Sequence, residues 1–282
     1  MITSEANKQI KEIIKLQKQS KYRHKTFQFV AEGVRMVKEA AKNSCLKKIY
    51  ISDCVFEKIH ETLKEFLEKY PYEEVSDKIF QKMADTVTTQ GILCITEIPE
   101  YNLETVLNDK KHMWLLLDGV RDPGNLGTIM RTANAAGMSA VIMNKGTVDL
   151  FNPKTIRSTM GAVFRMPFIY VDSLEDIVER IKSNGYNVYG TAMKGSVVYD
   201  EPDYTKGAGI VIGSEADGLS SSVMEHMSGF LRIPMEGGTE SLNAAVAAAV
   251  VMYETARQRR KVTYPKPLCH KSATKSIDKS FF

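Results

Sequence analysis

Residues 113–127 have the sequence Met-Trp-Leu-Leu-Leu-Asp-Gly-Val-Arg-Asp-Pro-Gly-Asn-Leu-Gly, a short apolar run followed by a loop of glycine and polar residues. The run predicts a buried strand, and helix-like sequence follows the loop. Two later loops, Ile212–Gly218 and Ile233–Asn243, also follow or are flanked by apolar runs. Because open α/β sheets bind ligands at the carboxyl ends of parallel strands, the three loops together predict an enzyme.

The second half of the chain alternates regularly between strand-like and helix-like segments. This alternation predicts an α/β fold with a parallel sheet that is covered on both faces. The longest predicted helix runs from about Ser241 to Arg260. The predicted strands are Met113–Leu117, Ala140–Met143, Phe168–Val171, Tyr186–Thr191 and Gly209–Ile212, and the shorter predicted helices are 125–136, 153–161 and 173–183.

The first half predicts a smaller α/β unit, with strands near Phe27–Val30, Lys48–Ser52 and Ile92–Ile95. We therefore expect five segments along the chain. They are a basic N-terminal helix over 1–24, the small α/β domain over 25–98, a linker over 99–111, the main domain over 112–261, and a basic, flexible tail over 262–282.

The charge of the chain is concentrated at its two ends. With 282 residues and a net charge of +4, the composition neither requires nor excludes a nucleic-acid partner. Basic residues crowd residues 8–25 and 257–279, where they could follow a phosphate backbone or simply form solvated faces. They are Lys8, Lys11, Lys15, Lys18, Lys21, Arg23 and Lys25 at the beginning, and Arg257, Arg259, Arg260, Lys261, Lys266, Lys271, Lys275 and Lys279 at the end.

Cysteine usage and hydropathy predict a reduced, cytoplasmic protein. Cys45, Cys54, Cys94 and Cys269 show no CxxC pair and no metal-type spacing with histidine, so we expect neither a disulfide framework nor a metal site. The beginning of the chain is polar and rich in lysine, and no apolar run reaches the length of a membrane span.

The usual signatures of phosphate-bearing cofactors are missing. Gly119, Gly124 and Gly127 do not have the GxGxxG spacing, and no Lys-Ser/Thr pair follows them. The chain also has no HExxH and no Ser-His-Asp pattern. Three loops at one end of a sheet instead suit a ligand that backbone groups hold in a folded-over pose.

The three loops resemble the sequence motifs of the SpoU (TrmH-like) branch of the SPOUT RNA methyltransferases. The matching residues are Leu117–Gly127 with Arg131–Gly137, Gly213–Ser220, and Ile233-Pro with Ser241-Leu-Asn243. The segment from Asn152 to Ala162 also resembles this family. Ala31-Glu-Gly-Val-Arg35 is similar to the small L30e-like RNA-binding domain that such enzymes often carry, although this match is shorter.

The resemblance implies a fold, an activity and partners. The fold would be a SPOUT-type parallel sheet with a C-terminal trefoil knot, and the activity would be methylation of a ribose 2′-hydroxyl in RNA with S-adenosyl-L-methionine as cofactor. It also implies a homodimer that needs no metal and no membrane. Two-domain relatives favour large-subunit rRNA over tRNA. The alternatives are a tRNA 2′-O-methyltransferase, a base methyltransferase of another SPOUT branch, or a non-catalytic RNA-binding or ribosome-assembly factor.

The resemblance also implies catalytic roles for five residues, each of which has an ordinary structural explanation as well. Arg131 could be a solvated helix residue and Glu215 could bind loop amides, while helix capping would explain the other three. In the functional interpretation Arg131 holds the phosphate beside the ribose and stabilises the developing alkoxide. Since the pKa of arginine exceeds about 12, the proton acceptor stays open. The five residues are Asn125, Arg131, Glu215, Ser241 and Asn243.

A second set of residues is expected to bind the cofactor. Gly213, Ile233 and Leu242 match positions whose backbones contact the cofactor in relatives, and Thr191 and Met235 are looser additions. Use of the backbone would explain why small or apolar residues suffice at these positions.

Overall fold

The computed structural model describes residues 1–86, 88–192 and 197–263, and their strands form two sheets. The smaller sheet has the order β1-β4-β2-β3, in which β4 runs antiparallel to β1 and β2, and β3 runs parallel to β2. The sequence predicted every strand of this sheet except β3, which lies at its edge. The strands are β1 (Gln28–Glu32), β2 (Leu46–Ser52), β3 (Tyr72–Val75) and β4 (Ile92–Glu97).

The helices of the first half cover both faces of this small sheet. Helix α1 buries Ile10, Ile13 and Leu16 completely, in a cluster that includes Leu93 of β4. Its lysines lie on the opposite side, so α1 packs as part of the small core. The helices are α1 (Lys8–Lys18), α2 (Ser20–Thr26), α3 (Val34–Lys42), α4 (Phe56–Leu67) and α5 (Asp77–Met83).

The segment predicted as a linker contains a short helix, α6 (Leu103–Leu107). Asn102 caps it by accepting a hydrogen bond from the backbone N–H of Thr105. The carbonyl of Val106 accepts a hydrogen bond of 2.9 Å from the indole nitrogen of Trp114, which is fully buried. This contact attaches the segment to the first strand of the second half.

The larger sheet confirms the predicted parallel α/β architecture. Its seven strands have the order β7-β6-β5-β10-β8-β11-β9, and every pair is parallel. The central strands, β5 and β10, are buried along their whole length, as continuous apolar runs predict. The strands are β5 (Met113–Asp118), β6 (Ala140–Asn144), β7 (Phe168–Val171), β8 (Asn187–Thr191), β9 (Val197–Val198), β10 (Ala208–Gly213) and β11 (Gly229–Arg232).

Helices cover the large sheet on both faces. One apolar cluster includes Ile129 and Met130 of α7 and Val251 of α11, whereas the other includes Ile177 and Ile181 of α9. The last helix begins three residues later than predicted. The helices are α7 (Pro123–Ala136), α8 (Pro153–Thr159), α9 (Leu174–Ser183), α10 (Ser221–Met224) and α11 (Ala244–Thr263).

A buried ion pair joins the two sheets. Arg23 of α2 donates from Nε to Oδ2 of Asp149 at 3.1 Å and from Nη1 to the carbonyl of Leu16 at 2.7 Å. Ser20 also donates to Asp149, at 2.7 Å. Arg23 is only 3% exposed. The prediction that Arg23 belongs to the basic surface is therefore wrong, because its guanidinium group is buried and binds Asp149 and the carbonyl of Leu16.

Other features of the described residues concern the cysteines and the membrane. Cys45, Cys54 and Cys94 are free thiols, whereas Cys269 and the predicted tail from residue 264 onward lie outside the described ranges. Within those ranges, no helix combines the length and the apolar character that crossing a bilayer requires.

Candidate active site

The first loop connects β5 to α7 and places Asn125 in the first turn of the helix. Asp122, not Asn125, is the N-cap, since its Oδ1 accepts the backbone N–H of Asn125 at 2.8 Å and Pro123 occupies the first turn. The structural explanation of Asn125 as a cap is therefore wrong. Its side-chain amide is available for other contacts.

The second loop, Gly213–Gly218, follows β10 as a tight turn. The backbones of Ser214 and Gly218 exchange two hydrogen bonds, of 2.9 and 3.1 Å, which close the turn and leave Glu215 within it. A Cβ at position 213 would lie 2.2 Å from the carbonyl carbon of Gly218, so only glycine fits there.

The third loop ends where α11 begins, and Asn243 caps this helix. Its Oδ1 accepts the backbone N–H of Ala245 at 2.9 Å and that of Val246 at 3.3 Å. Ser241 lies two residues earlier and is exposed. The capping role predicted for Asn243 is therefore confirmed, whereas Ser241 is not the cap.

One hydrogen-bonded chain joins a residue from each of the three loops. Asn243 donates from Nδ2 to Oδ1 of Asn125 at 2.9 Å, and Asn125 donates from Nδ2 to Oε1 of Glu215 at 2.6 Å. The helix cap fixes the direction of this chain. Because Oδ1 of Asn243 caps α11, its amide nitrogen faces Asn125, whose own nitrogen then points to the carboxylate. Among the described residues, the other oxygen, Oε2, accepts only a long 3.4 Å bond from the N–H of Arg121.

Arg131 lies apart from this chain. It is exposed on α7, six residues after Asn125 and thus about 9 Å further along the helix axis. Within the described residues, Glu215 bonds to Asn125 and to the backbone of Arg121, and neither oxygen contacts Arg131. In a single copy of the chain, Glu215 therefore holds Asn125 and not Arg131.

A cavity of about 590 Å³ opens beside the three loops. Its volume lies within the range of small-molecule sites. Eight of the ten residues predicted for catalysis or cofactor binding line it; Asn125 and Arg131 do not. The eight are Thr191, Gly213, Glu215, Ile233, Met235, Ser241, Leu242 and Asn243.

The wall of the cavity suits a nucleoside-like ligand with an apolar chain. Ile212, Leu219 and Ile233 contribute apolar side chains, and Gly213 and Gly218, which have no side chains, contribute backbone to the same wall. This wall combines apolar surface with backbone groups, as a ring system and a thioether or sulfonium side chain would need. The residues present therefore fit a cofactor such as S-adenosylmethionine.

The sequence prediction missed a polar cluster behind the loops, in which Asp118 is buried. Asp118, at the end of β5, accepts from Nδ2 of Asn144 at 2.8 Å. It also accepts from the backbone N–H of Ser220 at 2.7 Å and from the Ser220 hydroxyl at 2.8 Å. Asp118 and Asn144 each follow an apolar strand run, and that position was the available signal.

The outer rim of the site is polar and exposed. Arg121 and Lys154 lie 3.6 Å from Asp217 and Asp122, respectively. Such exposed pairs contribute little to stability and can exchange partners with a charged ligand. Among the described residues, no group of three or more histidine, cysteine or acidic side chains is arranged to hold a metal ion.

Two family models match this chain over separate ranges. The model of the SpoU rRNA Methylase family matches residues 112–253, which include all three loops. The model of the MRM3-like substrate binding domain matches residues 7–94, which include helices α1 to α5 and the small sheet up to the first half of β4.

Similar proteins align along most of the chain. The 23S rRNA (guanosine(2553)-2′-O)-methyltransferase RlmP of Bacillus subtilis (strain 168) is 36% identical, over 89% of this chain and 97% of the relative. Among solved structures, the AdoMet-bound rRNA methyltransferase from Sinorhizobium meliloti superimposes with a TM-score of 0.79 at 32% identity, covering 91% of this chain and 97% of that one. The SpoU methyltransferase AviRb from Streptomyces viridochromogenes, in complex with the cofactor AdoMet, superimposes with a TM-score of 0.80 at 26% identity. The match covers 90% of this chain and 98% of that one.

Proposed function

This chain belongs to the SpoU rRNA methylase family, and we propose that it transfers a methyl group from S-adenosyl-L-methionine to a ribose 2′-hydroxyl of large-subunit rRNA. The observation that carries the proposal is the hydrogen-bonded chain from Asn243 through Asn125 to Glu215, beside a cavity that suits the cofactor. The three residues come from three loops that are distant in sequence, and each contributes a polar group at the same place.

The cavity residues would hold the cofactor. Gly213, Ile233 and Leu242 offer backbone groups, with Thr191 and Met235 nearby on the same wall. When bound, the cofactor supplies an electrophilic methyl group on a sulfonium. The protein must then hold the 2′-oxygen in line with that methyl carbon, which is mainly a task of positioning.

The polar chain would hold the ribose. Oε2 of Glu215 is available as an acceptor, because within the described residues its one hydrogen bond is the long bond from Arg121. We assign it to accept the hydrogen bond of the 2′-hydroxyl as that proton leaves. Asn125 and Asn243 keep the carboxylate in place, and Ser241 offers a further hydroxyl on the cavity wall.

Arg131 would bind the phosphate beside the target ribose. Its exposure leaves the guanidinium accessible to an RNA backbone, which it can hold through two parallel hydrogen bonds. A cation there also stabilises the negative charge that develops on the 2′-oxygen. Its distance from the polar chain suggests that a second copy of the protein completes the site.

A homodimer is therefore part of the proposal. The last helix, α11, exposes Val246 and Tyr253 by about half of their surface, although its neighbours Ala245 and Met252 are buried. An apolar strip of this kind on a helix suits a second copy of the chain. A mass measurement in solution tests this: a dimer supports it, and a fully active monomer contradicts it.

Two finer features of the fold also belong to the proposal. We infer a trefoil knot in the C-terminal part from the likeness to the SpoU methyltransferases. We also infer that the small domain is L30e-like and binds RNA. Residues 99–111 would then connect it to the methyltransferase domain. Modification of rRNA would take place in the cytoplasm.

The nucleotide that the B. subtilis relative modifies is the first candidate target, because that relative aligns over nearly its whole length. The test uses unmethylated large-subunit rRNA transcript and total tRNA, each with tritiated cofactor. Methylation of the rRNA at one alkali-resistant linkage supports the proposal. Methylation of tRNA alone favours the tRNA alternative, and cofactor binding that fails altogether favours a non-catalytic RNA-binding protein.

A further inference from the structure

We propose that Asp118 and Asn144 position the loops that carry Asn125 and Glu215, an inference that rests on the methyltransferase function proposed above. Asp118 is 7% exposed, and within the described residues it forms no ion pair. A buried carboxylate is costly unless hydrogen bonds satisfy it. Here three donors, from Asn144 and Ser220, do so.

The pair of side chains fixes the start of the first loop. Oδ1 of Asn144 accepts the backbone N–H of Gly119 at 3.0 Å, and Gly119 has a φ of +73°. Asn144 thus holds the left-handed turn through which the chain leaves β5. The segment from this turn to Asp122 leads directly to Asn125.

The same carboxylate fixes the end of the second loop. Ser220 follows Gly218 by two residues and donates both its backbone N–H and its hydroxyl to Oδ2 of Asp118. This partly buried cluster therefore joins the inner ends of the two loops. Their outer ends meet through exposed contacts, which are the bond between Asn125 and Glu215 and the contacts of Arg121 with Glu215 and Asp217. Because water competes more for exposed hydrogen bonds than for partly buried ones, the cluster at Asp118 is the part that can set the separation of the loops.

Asp118 and Asn144 are positioning residues, not catalytic ones. Neither lines the cavity, and both act through the loops that do. The arrangement has a property that makes it testable: an amide at 118 and a carboxylate at 144 would preserve every hydrogen bond. The amide oxygen at 118 would accept from Ser220, its nitrogen would donate to 144, and the carboxylate at 144 would still accept from Gly119.

The experiment compares Asp118→Asn, Asn144→Asp and the double variant. Asp118→Asn places two amide nitrogens face to face, and Asn144→Asp places two carboxylates face to face. We expect each single change to lower kcat on rRNA by about tenfold or more, because small displacements of reacting groups are costly. We expect the double variant to recover to within about threefold of the original protein, since its hydrogen-bond pattern is intact.

The control is Thr147→Val. Thr147 donates to Asn144 and to the carbonyl of Leu117, but it does not join the two loops. The Thr147→Val variant should lower the midpoint temperature of unfolding but leave kcat on rRNA unchanged. A milder variant, Ser220→Ala, removes one of the three donors to Asp118 and should lower kcat less than Asp118→Asn does.

The outcomes separate this inference from the proposed function. If the original protein methylates rRNA but Asp118→Asn and Ser220→Ala keep its kcat, the inference is overturned. A double variant that is no better than the single ones also overturns it, because the charge at 118 and not the bonding pattern would then matter. If the original protein methylates no RNA, the proposed function itself has failed.

Discussion

Arg23 of α2 and Asp149, in the loop after β6, form an ion pair that is nearly closed to solvent, and it joins the two halves of the molecule. The loop that contains Asp149 also contacts the active-site loop, because the backbone N–H of Val148 donates to the carbonyl of Val120 at 2.9 Å. Helix α2 is thereby tied to the loop that precedes α7.

The first prediction concerns stability. Asp149→Asn leaves the guanidinium of Arg23 buried without its counter-charge, and we expect a loss of about 3 kcal/mol in the free energy of unfolding at pH 7. Denaturant titration measures it. The matched control is Asp172→Asn, which breaks the exposed pair with Lys145 and should change almost nothing. Equal effects of the two changes would contradict the prediction.

The second prediction concerns pH. Burial is the largest single influence on the carboxyl of Asp149, and it raises the pKa. The hydrogen bonds from Arg23 and Ser20 and the charge of Arg23 together outweigh burial and hold the pKa below its usual value. Because the pKa of this carboxyl is lower in the folded state than in the unfolded state, its ionisation stabilises the folded protein above about pH 4. This contribution is lost as the pH falls through the pKa of the folded state. The stability gap between the original protein and Asp149→Asn should therefore shrink in acid. A gap that stays constant from pH 7 to pH 3 would exclude this linkage.

The third prediction concerns the cofactor cavity. In Gly213→Ala, the added Cβ would meet the backbone of Gly218 at 2.2 Å, so the loop must shift. Calorimetry should show weaker cofactor binding, by about tenfold or more. Gly238→Ala is the control, because a Cβ there meets nothing within 4 Å. If both variants bind the cofactor like the original protein, Gly213 does not shape the site.

The fourth prediction separates catalysis from cofactor binding. Asn125→Asp places a carboxylate against Glu215 and removes a donor, so kcat should fall by about a hundredfold. Cofactor affinity should change little, because Asn125 does not line the cavity. Single-turnover kinetics and calorimetry measure the two effects. A parallel loss of both would show that Asn125 acts through the cavity instead.

The regular parts of the fold could be predicted because both faces of the central strands are buried. Met113–Leu117 and Gly209–Ile212 are continuous apolar runs, and the structure extends them only at their ends. Strand β3 gave no such signal, since Tyr72-Glu-Glu-Val75 carries two glutamates at a sheet edge. Helix α5 was not predicted either.

The site could be predicted as a set of loops but not as a set of contacts. Spacing along the chain does not show that Asp122 takes the cap of α7 and so leaves Asn125 free to join Asn243 and Glu215. Nor does it show that Arg23 is buried or that Asp118 and Asn144 meet. The contact between Asn125 and Glu215 depends on strand order, which brings β5 and β10 side by side although about ninety residues separate them.

The most direct test of the central claim is the formation of 2′-O-methylated nucleotide in rRNA by the original protein and by Arg131→Ala, with tritiated cofactor. We predict one alkali-resistant site with the original protein and a rate lower by about a hundredfold or more in the variant, with cofactor binding retained. Arg131→Lys should lie between them, since lysine keeps the charge but cannot form two parallel bonds to phosphate. Methylation at an undiminished rate by Arg131→Ala, or methyl transfer to a base and not to a ribose, would contradict the account.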